Sequence, residues 1–224
     1  MKKSNKKVFV SDVCGTLFYE NTTIGFIRFY IQKSSKIKFL FFLILTSNLS
    51  PVFWSFKLLE YFFLNKRYLF KKLIVLFLRG EKNNNIRQFA KLYIDTLFKK
   101  KKVKIVWDYL DKYKKSNFRI ILASGSIEPV IKEISKRIKA DYVSSSLEIK
   151  NNKFTGYMLS DILKNKINNL KLIGIDSSAV NFFISDNFED LDLIKNAKKG
   201  IAISNTSNSL KFWKKNNIKN LLCI

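Results

Sequence analysis

Lys7-Val8-Phe9-Val10-Ser11-Asp12-Val13-Cys14-Gly15-Thr16-Leu17 is the stretch whose reading decides the fold. Residues 7–11 read as a short buried strand: apolar, partly β-branched and ended by a polar turn. Asp12 to Thr16 then reads as a turn containing Gly15. A strand that delivers a carboxylate at its carboxyl end suits an open parallel sheet, where sites gather at such ends.

Beyond residue 99 the same rhythm continues. Val103–Lys115 predicts an amphipathic helix, and Phe118–Ala123 a strand leading into a turn at Ser124-Gly125-Ser126. Pro129–Lys139 predicts a helix with Pro129 in its first turn. Ser145–Ile149 and Phe154–Met158 flank Asn151-Asn152, a hairpin signal. Asn181–Ser185 is a further strand, followed by Asp186 and a helix through Ala197, and Gly200–Ile203 is a last strand. Strands alternating with helices predict an α/β fold, a Rossmann-like parallel sheet covered on both faces.

Between about Thr22 and Phe98 strand signals vanish and aromatic residues crowd in. Phe39–Phe56 contains no charged residue. At 18 residues it lies at the lower edge of what spans a bilayer. Thr46-Ser47-Asn48-Leu49-Ser50-Pro51 interrupts it, and Pro51 is expected to end or kink a helix. A second apolar helix is expected over about Tyr68–Leu78, with Lys71 and Lys72 inside it. The reading is therefore a core of residues 1–20 and 100–224 with an inserted all-helical cap, apolar and basic, at 21–99. The greasy cap face is read as packing surface, or as an interfacial or re-entrant contact with an anionic membrane surface, with a single span as a further alternative.

Composition narrows the function classes. The 224 residues are 47% apolar, enough for a real core. Lys and Arg number 42 against 17 Asp and Glu, a net charge of +25 that attracts polyanions or phosphorylated substrates. There is no His, which excludes Ser-His-Asp chemistry and His-ligated metals. Two cysteines, Cys14 and Cys223, make no disulfide framework, and a reducing cytoplasmic compartment fits. The basic start Met1–Lys7 precedes too short an apolar run for a signal peptide. Spread-out lysines, with no basic recognition helix, argue against nucleic acid as the partner.

Three polar clusters are expected at strand ends. Asp12 and Asp186 supply carboxylates from strands that should be neighbours, with Asp190 one helical turn beyond. Carboxylate oxygens with positions left for water and phosphate suit Mg²⁺. Ser124 and the backbone N–H groups near Gly125 can hold phosphate oxygens, and Lys166 can bring a fixed positive charge. Together they read as a phosphoryl-transfer site built on positioning and charge neutralisation.

At these residues the chain resembles the haloacid dehalogenase (HAD) superfamily. Asp12-Val13-Cys14-Gly15-Thr16-Leu17 is similar to its first motif, usually Asp-x-Asp-Gly-Thr-Leu. Ser124 resembles the second motif, Lys166 the third, and Ser185-Asp186-Asn187-Phe188-Glu189-Asp190 the fourth, all in order. The helical insert and the hairpin carrying Thr155-Gly156 resemble the phosphoserine-phosphatase-like branch, and the greasy cap is similar to the phosphatidylglycerophosphate phosphatase type. The resemblance implies that Asp12 attacks phosphorus and becomes an aspartyl-phosphate. It implies Mg²⁺ held by the Asp12 carboxylate, the Cys14 carbonyl and the Asp186 carboxylate, with Asp190 ordering metal or water behind them. Thr16 and Ser124 would contact the phosphoryl group, and Lys166 would neutralise Asp12 and phosphate. The motifs lead to a phosphorylated metabolite or lipid phosphate as substrate, the apolar basic cap places it at the inner membrane face, and Glu20, Asn21 and Arg79 are the candidate recognition groups in and beside that cap.

Position 14 departs from the pattern. The family's second Asp protonates the leaving alcohol and then deprotonates the attacking water; here it is Cys14. Losing a positioned acid/base costs about 10²–10⁴-fold. A good leaving group, another proton donor, or transfer of the phosphoryl group to an acceptor other than water are the open alternatives. A dead core serving as a basic binding protein, and a metal-free dehalogenase, are the readings outside phosphoryl transfer.

Overall fold

A computed structural model describes residues 6–47, 49–62 and 69–224. The expectations at Met1–Asn5, at Asn48 and at Tyr68 fall outside these residues.

The strand that opens the chain is β1 (Val8–Ser11), buried along its whole length. It is followed by α1 (Thr22–Ser34), α2 (Lys36–Thr46), α3 (Pro51–Phe62), α4 (Leu69–Leu76) and α5 (Asn83–Lys100). Then come α6 (Lys104–Lys115), β2 (Arg119–Ile127), α7 (Glu128–Ile138), β3 (Asp141–Lys150) and β4 (Lys153–Ser160). The chain closes with α8 (Lys166–Leu172), β5 (Val180–Ser185), α9 (Leu191–Asn196), β6 (Gly200–Ser204), α10 (Ser207–Lys215) and β7 (Leu221–Cys223).

The strands form one sheet in the order β4-β3-β2-β1-β5-β6-β7. All pairings are parallel except β3 with β4. The chain runs outward from β1 through β2 and β3, then returns to the other side of β1 for β5, β6 and β7. The strand order therefore switches direction between β1 and β5, and ligands bind in the crevice at such a switch.

Alternation along the strands divides the core into two layers. Phe9, Leu122, Phe182, Ile184 and Ile203 face one layer, shared with the inserted helices, α6 and α7. Val8, Val10, Ile121, Phe183 and Ala202 face the other, closed by Leu170, Ile194 and Trp213 from α8, α9 and α10. The period of two in the strands is thus what covers both faces of the sheet.

The chain leaves the sheet and returns to it at one place. Tyr19 N–H donates to the Lys101 carbonyl at 2.8 Å, Val103 N–H to the Leu17 carbonyl at 3.0 Å, and the Trp107 indole to the same Leu17 carbonyl at 2.8 Å. The run α1–α5 begins and ends at this clasp, and its 80–83 segment is also tied to β4, Gly80 N–H donating to the Phe154 carbonyl at 2.8 Å and Phe154 N–H to the Glu81 carbonyl at 3.0 Å.

Several sequence expectations change in detail. Ser124-Gly125-Ser126 is not a turn: β2 runs through it to Ile127, and α7 starts at the next residue. The reason is a bulge, since Ser124 pairs with Ser144 and Ile127 with Ser145, leaving two extra residues on β2. Pro51 does not end a helix but starts one, taking the first-turn position of α3 where its missing N–H costs nothing. β3 is twice the expected span, parallel to β2 at one end and antiparallel to β4 at the other. Asn151 and Asn152 form the β3–β4 turn at φ of 50° and 59°, the left-handed pair such a hairpin needs. The final α10 and β7 were not anticipated.

Candidate active site

The register brings the expected carboxylates together. Ser11 pairs with Ile184, and Asp12 N–H donates to the Ile184 carbonyl at 3.0 Å, so Asp12 and Asp186 leave adjacent strands side by side. Lys166, the first residue of α8, reaches them from the layer below. Its Nζ lies 3.1 Å from Asp12 Oδ1 and 2.6 Å from Asp190 Oδ2. Ser185 Oγ donates to the same Asp190 oxygen at 2.6 Å. All four side chains are buried. Burial by itself would depress the Lys166 ammonium, but the Asp12 and Asp190 carboxylates outweigh it and hold the group above its ordinary value. Asp190 is pushed above the usual carboxylate range by burial, partly offset by Lys166.

On the other side of Asp12, Thr16 locks Asp186. Thr16 Oγ1 donates to Asp186 Oδ1 at 2.8 Å and accepts from Asp186 N–H at 3.0 Å. Gly15 stands between at φ +70°, where an added Cβ would lie 2.1 Å from Asp186 Oδ2. Only glycine permits both the left-handed backbone and this close approach. Burial first, and Asp12 second, push the Asp186 carboxyl above the carboxylate range. Two carboxylates crowded into a buried crevice disfavour double ionisation, and a cation between them relieves it.

The donor set fits Mg²⁺. Asp12 and Asp186 offer hard carboxylate oxygens and line one cavity with Cys14, whose backbone carbonyl is a further oxygen donor. Among the described residues no group of three or more His, Cys, Asp or Glu is placed to hold a metal ion, so the donors are two carboxylates and a carbonyl. An open set is what Mg²⁺ uses, because it keeps several waters and takes substrate phosphate.

A cavity of about 650 Å³ opens above this crevice. Asp12, Cys14, Ser124, Gly125 and Asp186 form its floor, and Ile24, Phe53, Phe70 and Ile74 its apolar roof. Of the recognition candidates, Asn21 is in the wall, where its side chain also caps α1 through Thr23 and Ile24 N–H. Glu20 and Arg79 are not among the lining residues. Thr16, Lys166 and Asp190 lie behind the floor rather than in it. Asp190 is committed to Lys166 and Ser185, and Thr16 to Asp186.

Cys14 sits in the floor with its thiol engaged. Thr22 N–H donates to Sγ at 3.3 Å, and Thr22 Oγ1 lies 3.1 Å away. Burial first, and the Asp12 charge second, raise the thiol above its ordinary value. It is therefore a neutral thiol at neutral pH. Thr22 Oγ1 donates to Ser126 Oγ at 2.8 Å, and Thr23 Oγ1 lies 2.9 Å from the same oxygen.

Sequence reasoning missed two parts of the site. Lys71 of α4 enters the cavity, where Nζ donates to Asp161 at 2.9 Å and to the Gly125 carbonyl. Two lysines inside an otherwise apolar helix were the available signal. The hydroxyls of Thr22, Thr23 and Ser126 gave none, because their meeting joins residues about a hundred positions apart in the chain.

The chain belongs to the haloacid dehalogenase-like hydrolase family, whose sequence pattern it matches over residues 9–195. Solved structures share the fold. A protein of unknown function from Bordetella pertussis Tohama I superimposes with a TM-score of 0.71 at 11% identity, covering 98% of this chain and 99% of that one. A phospho-aspartyl intermediate analogue of phosphoserine phosphatase gives 0.57 at 15% identity, covering 98% and 94%. Cytosolic 5′-nucleotidase IIIB bound to cytidine gives 0.63 at 11% identity, covering 98% and 80%. No curated protein sequence matches the chain.

Proposed function

We propose that this hydrolase is a Mg²⁺-dependent phosphatase that forms an aspartyl-phosphate on Asp12. One observation carries the reading: the Lys166 ammonium clamped between Asp12 and Asp190, with Asp186 crowded against the other side of Asp12. A carboxylate fixed between a permanent cation and a site for a second cation is a pre-aimed, charge-compensated nucleophile. Phosphate-transferring names among the proteins of like fold, a phosphoserine phosphatase and a nucleotidase, support it.

An Asp12 carboxylate oxygen attacks phosphorus in line, and the bond from phosphorus to the ester oxygen breaks. The leaving alkoxide takes a proton from water in the cavity, and a second water then cleaves the acyl phosphate, giving up a proton to solvent as inorganic phosphate leaves and Asp12 is restored. Lys166, 3.1 Å from Asp12, aims its carboxylate and offsets charge there, and Ser124 Oγ and nearby backbone receive phosphoryl oxygens. Thr16 fixes Asp186, and Asp190 with Ser185 fixes Lys166. Mg²⁺, held by Asp12, the Cys14 carbonyl and Asp186, would supply charge neutralisation to the phosphoryl group. Residues 21–99 act as the cap that covers the substrate.

The substrate is a phosphorylated metabolite or lipid phosphate, met in the cytoplasm at the inner face of the membrane. The apolar roof of the cavity and the basic cap support that class. A second reading is favoured by Cys14. A neutral thiol bound to Thr22 is a poor base for water, so the phosphoenzyme is long-lived and can pass its phosphoryl group to another acceptor. The test is Mg²⁺-dependent phosphate release across a panel of phosphomonoesters that includes lipid phosphates. Asp12→Asn should lose about 10⁴-fold or more in turnover. Intact turnover in that variant would contradict the mechanism.

A further inference from the structure

The inserted helices carry a surface that the chemistry does not use. Beyond Lys36 and Lys38, α2 is apolar on every side up to Thr46. Phe42 is buried in the core layer, and Phe39 and Leu45 pack against it. The opposite side carries Ile37, Leu40, Phe41 and Ile44, spaced as one helical stripe, and they are 72%, 60%, 62% and 47% exposed. Leu49, just beyond the helix, is 93% exposed, and Trp54 on α3 is 60% exposed. A contiguous apolar stripe of this kind on a charged protein marks a contact surface.

Charge decides what it contacts. Between residues 21 and 99 there are fourteen Lys and Arg against three Asp and Glu. Lys33 and Lys36 beside the stripe, and Lys72 on α4, are exposed. A second copy of this chain, also at +25, would be repelled, whereas an anionic bilayer would be drawn in. Among the described residues no helix is long and apolar enough to cross a membrane. Apolar side chains on one face with lysines at its margin are the pattern of a helix lying in the bilayer interface.

α3, which packs against both α2 and α4, links this side of the insert to the cavity. α3 carries Trp54 outward while its neighbour Phe53 lines the roof, against Phe70 of α4 at 5.8 Å between ring centres. We propose that the stripe Ile37, Leu40, Phe41 and Ile44 of α2 is a docking face for anionic lipid bilayer, seated beside the cavity mouth so that an amphiphilic phosphomonoester enters from the membrane. The entry of substrate rests on the phosphatase reading above; the docking face does not.

The experiment is cosedimentation of the full chain with vesicles of phosphatidylcholine, with and without phosphatidylglycerol, beside hydrolysis of a small water-soluble phosphomonoester. Wild type should pellet with the phosphatidylglycerol vesicles, and only weakly with phosphatidylcholine alone. Leu40→Ser/Phe41→Ser/Ile44→Ser should lose at least about 10-fold in vesicle affinity and keep its rate on the soluble substrate, which shows that it is folded. Equal pelleting of the variant, or no pelleting of wild type, would overturn the docking face even if phosphate is released. A dimer in solution that the triple variant dissolves would overturn it in favour of a second copy. Pelleting with no phosphate release from any substrate would leave the docking face standing and the phosphatase reading refuted.

Discussion

The floor of the cavity and the outer side of α2 invert the ordinary rule of folding in opposite ways. In the floor and just behind it, charged groups are buried, and each is answered: Lys166 by Asp12 and Asp190, Asp190 also by Ser185, Asp186 by Thr16. On α2, large apolar groups are exposed, and protein does not cover them. Buried charge is retained only where it is paired, and even then it is weak support for stability. Exposed apolar area adds nothing to stability either, because it is wet in the folded and the unfolded chain alike. Both departures therefore point away from stability and toward function, one toward the reacting phosphate and the other toward a partner surface.

The largest effect is expected at the floor. Lys166→Met leaves Asp12 and Asp190 buried without their cation, which should cost about 3–5 kcal/mol of stability and about 10²–10³-fold in turnover. Denaturant unfolding and steady-state rates measure the two losses, and an unchanged unfolding midpoint would break the picture of a charge-clamped floor. Next comes the inner side of α2. Phe42→Ala should cost about 3–5 kcal/mol, as other buried phenylalanines do.

Cys14→Asp is expected to act in the other direction. A carboxylate at this position restores a proton carrier and should speed phosphoenzyme hydrolysis on the order of 10²-fold. Stopped-flow or quench kinetics would read it, and an unchanged rate would place the proton source elsewhere in the cavity. The smallest effect belongs to the outer side of α2. Phe41→Ser should stay within about 0.5 kcal/mol of wild type. A loss as large as that of Phe42→Ala would mean that the stripe is structural and the contrast between the two faces false.

Much of this arrangement was legible in the sequence where a local signal and the sheet order coincide. β1 and the Asp12 turn could be read because a short apolar run ends in a carboxylate and a glycine, and Gly15 proves to be required by Asp186. The Asn151-Asn152 hairpin could be read because both residues tolerate positive φ. Ser124 and Asp186 could be placed near Asp12 because strand ends share one side of a parallel sheet, whereas Lys166, at the start of α8, was legible through the family motif it resembles. What could not be read depends on contacts between distant segments. The bulge that carries β2 through Gly125 is set by pairing with β3. The Lys71–Asp161 pair joins residues ninety positions apart. The direction in which Pro51 acts, starting α3 rather than stopping a helix, depends on where α2 ends four residues after its last buried phenylalanine.

The central claim is that Asp12 carries the phosphoryl group. Rapid quenching of the enzyme with a labelled small phosphomonoester and Mg²⁺, followed by mass analysis of the peptide containing Asp12, tests it most directly. One base-labile phosphoryl group is expected on Asp12, formed only with Mg²⁺, longer-lived than in Cys14→Asp and absent from Asp12→Asn. Phosphate released at full rate with no phosphoryl group on Asp12, or with the label on another residue, would contradict it.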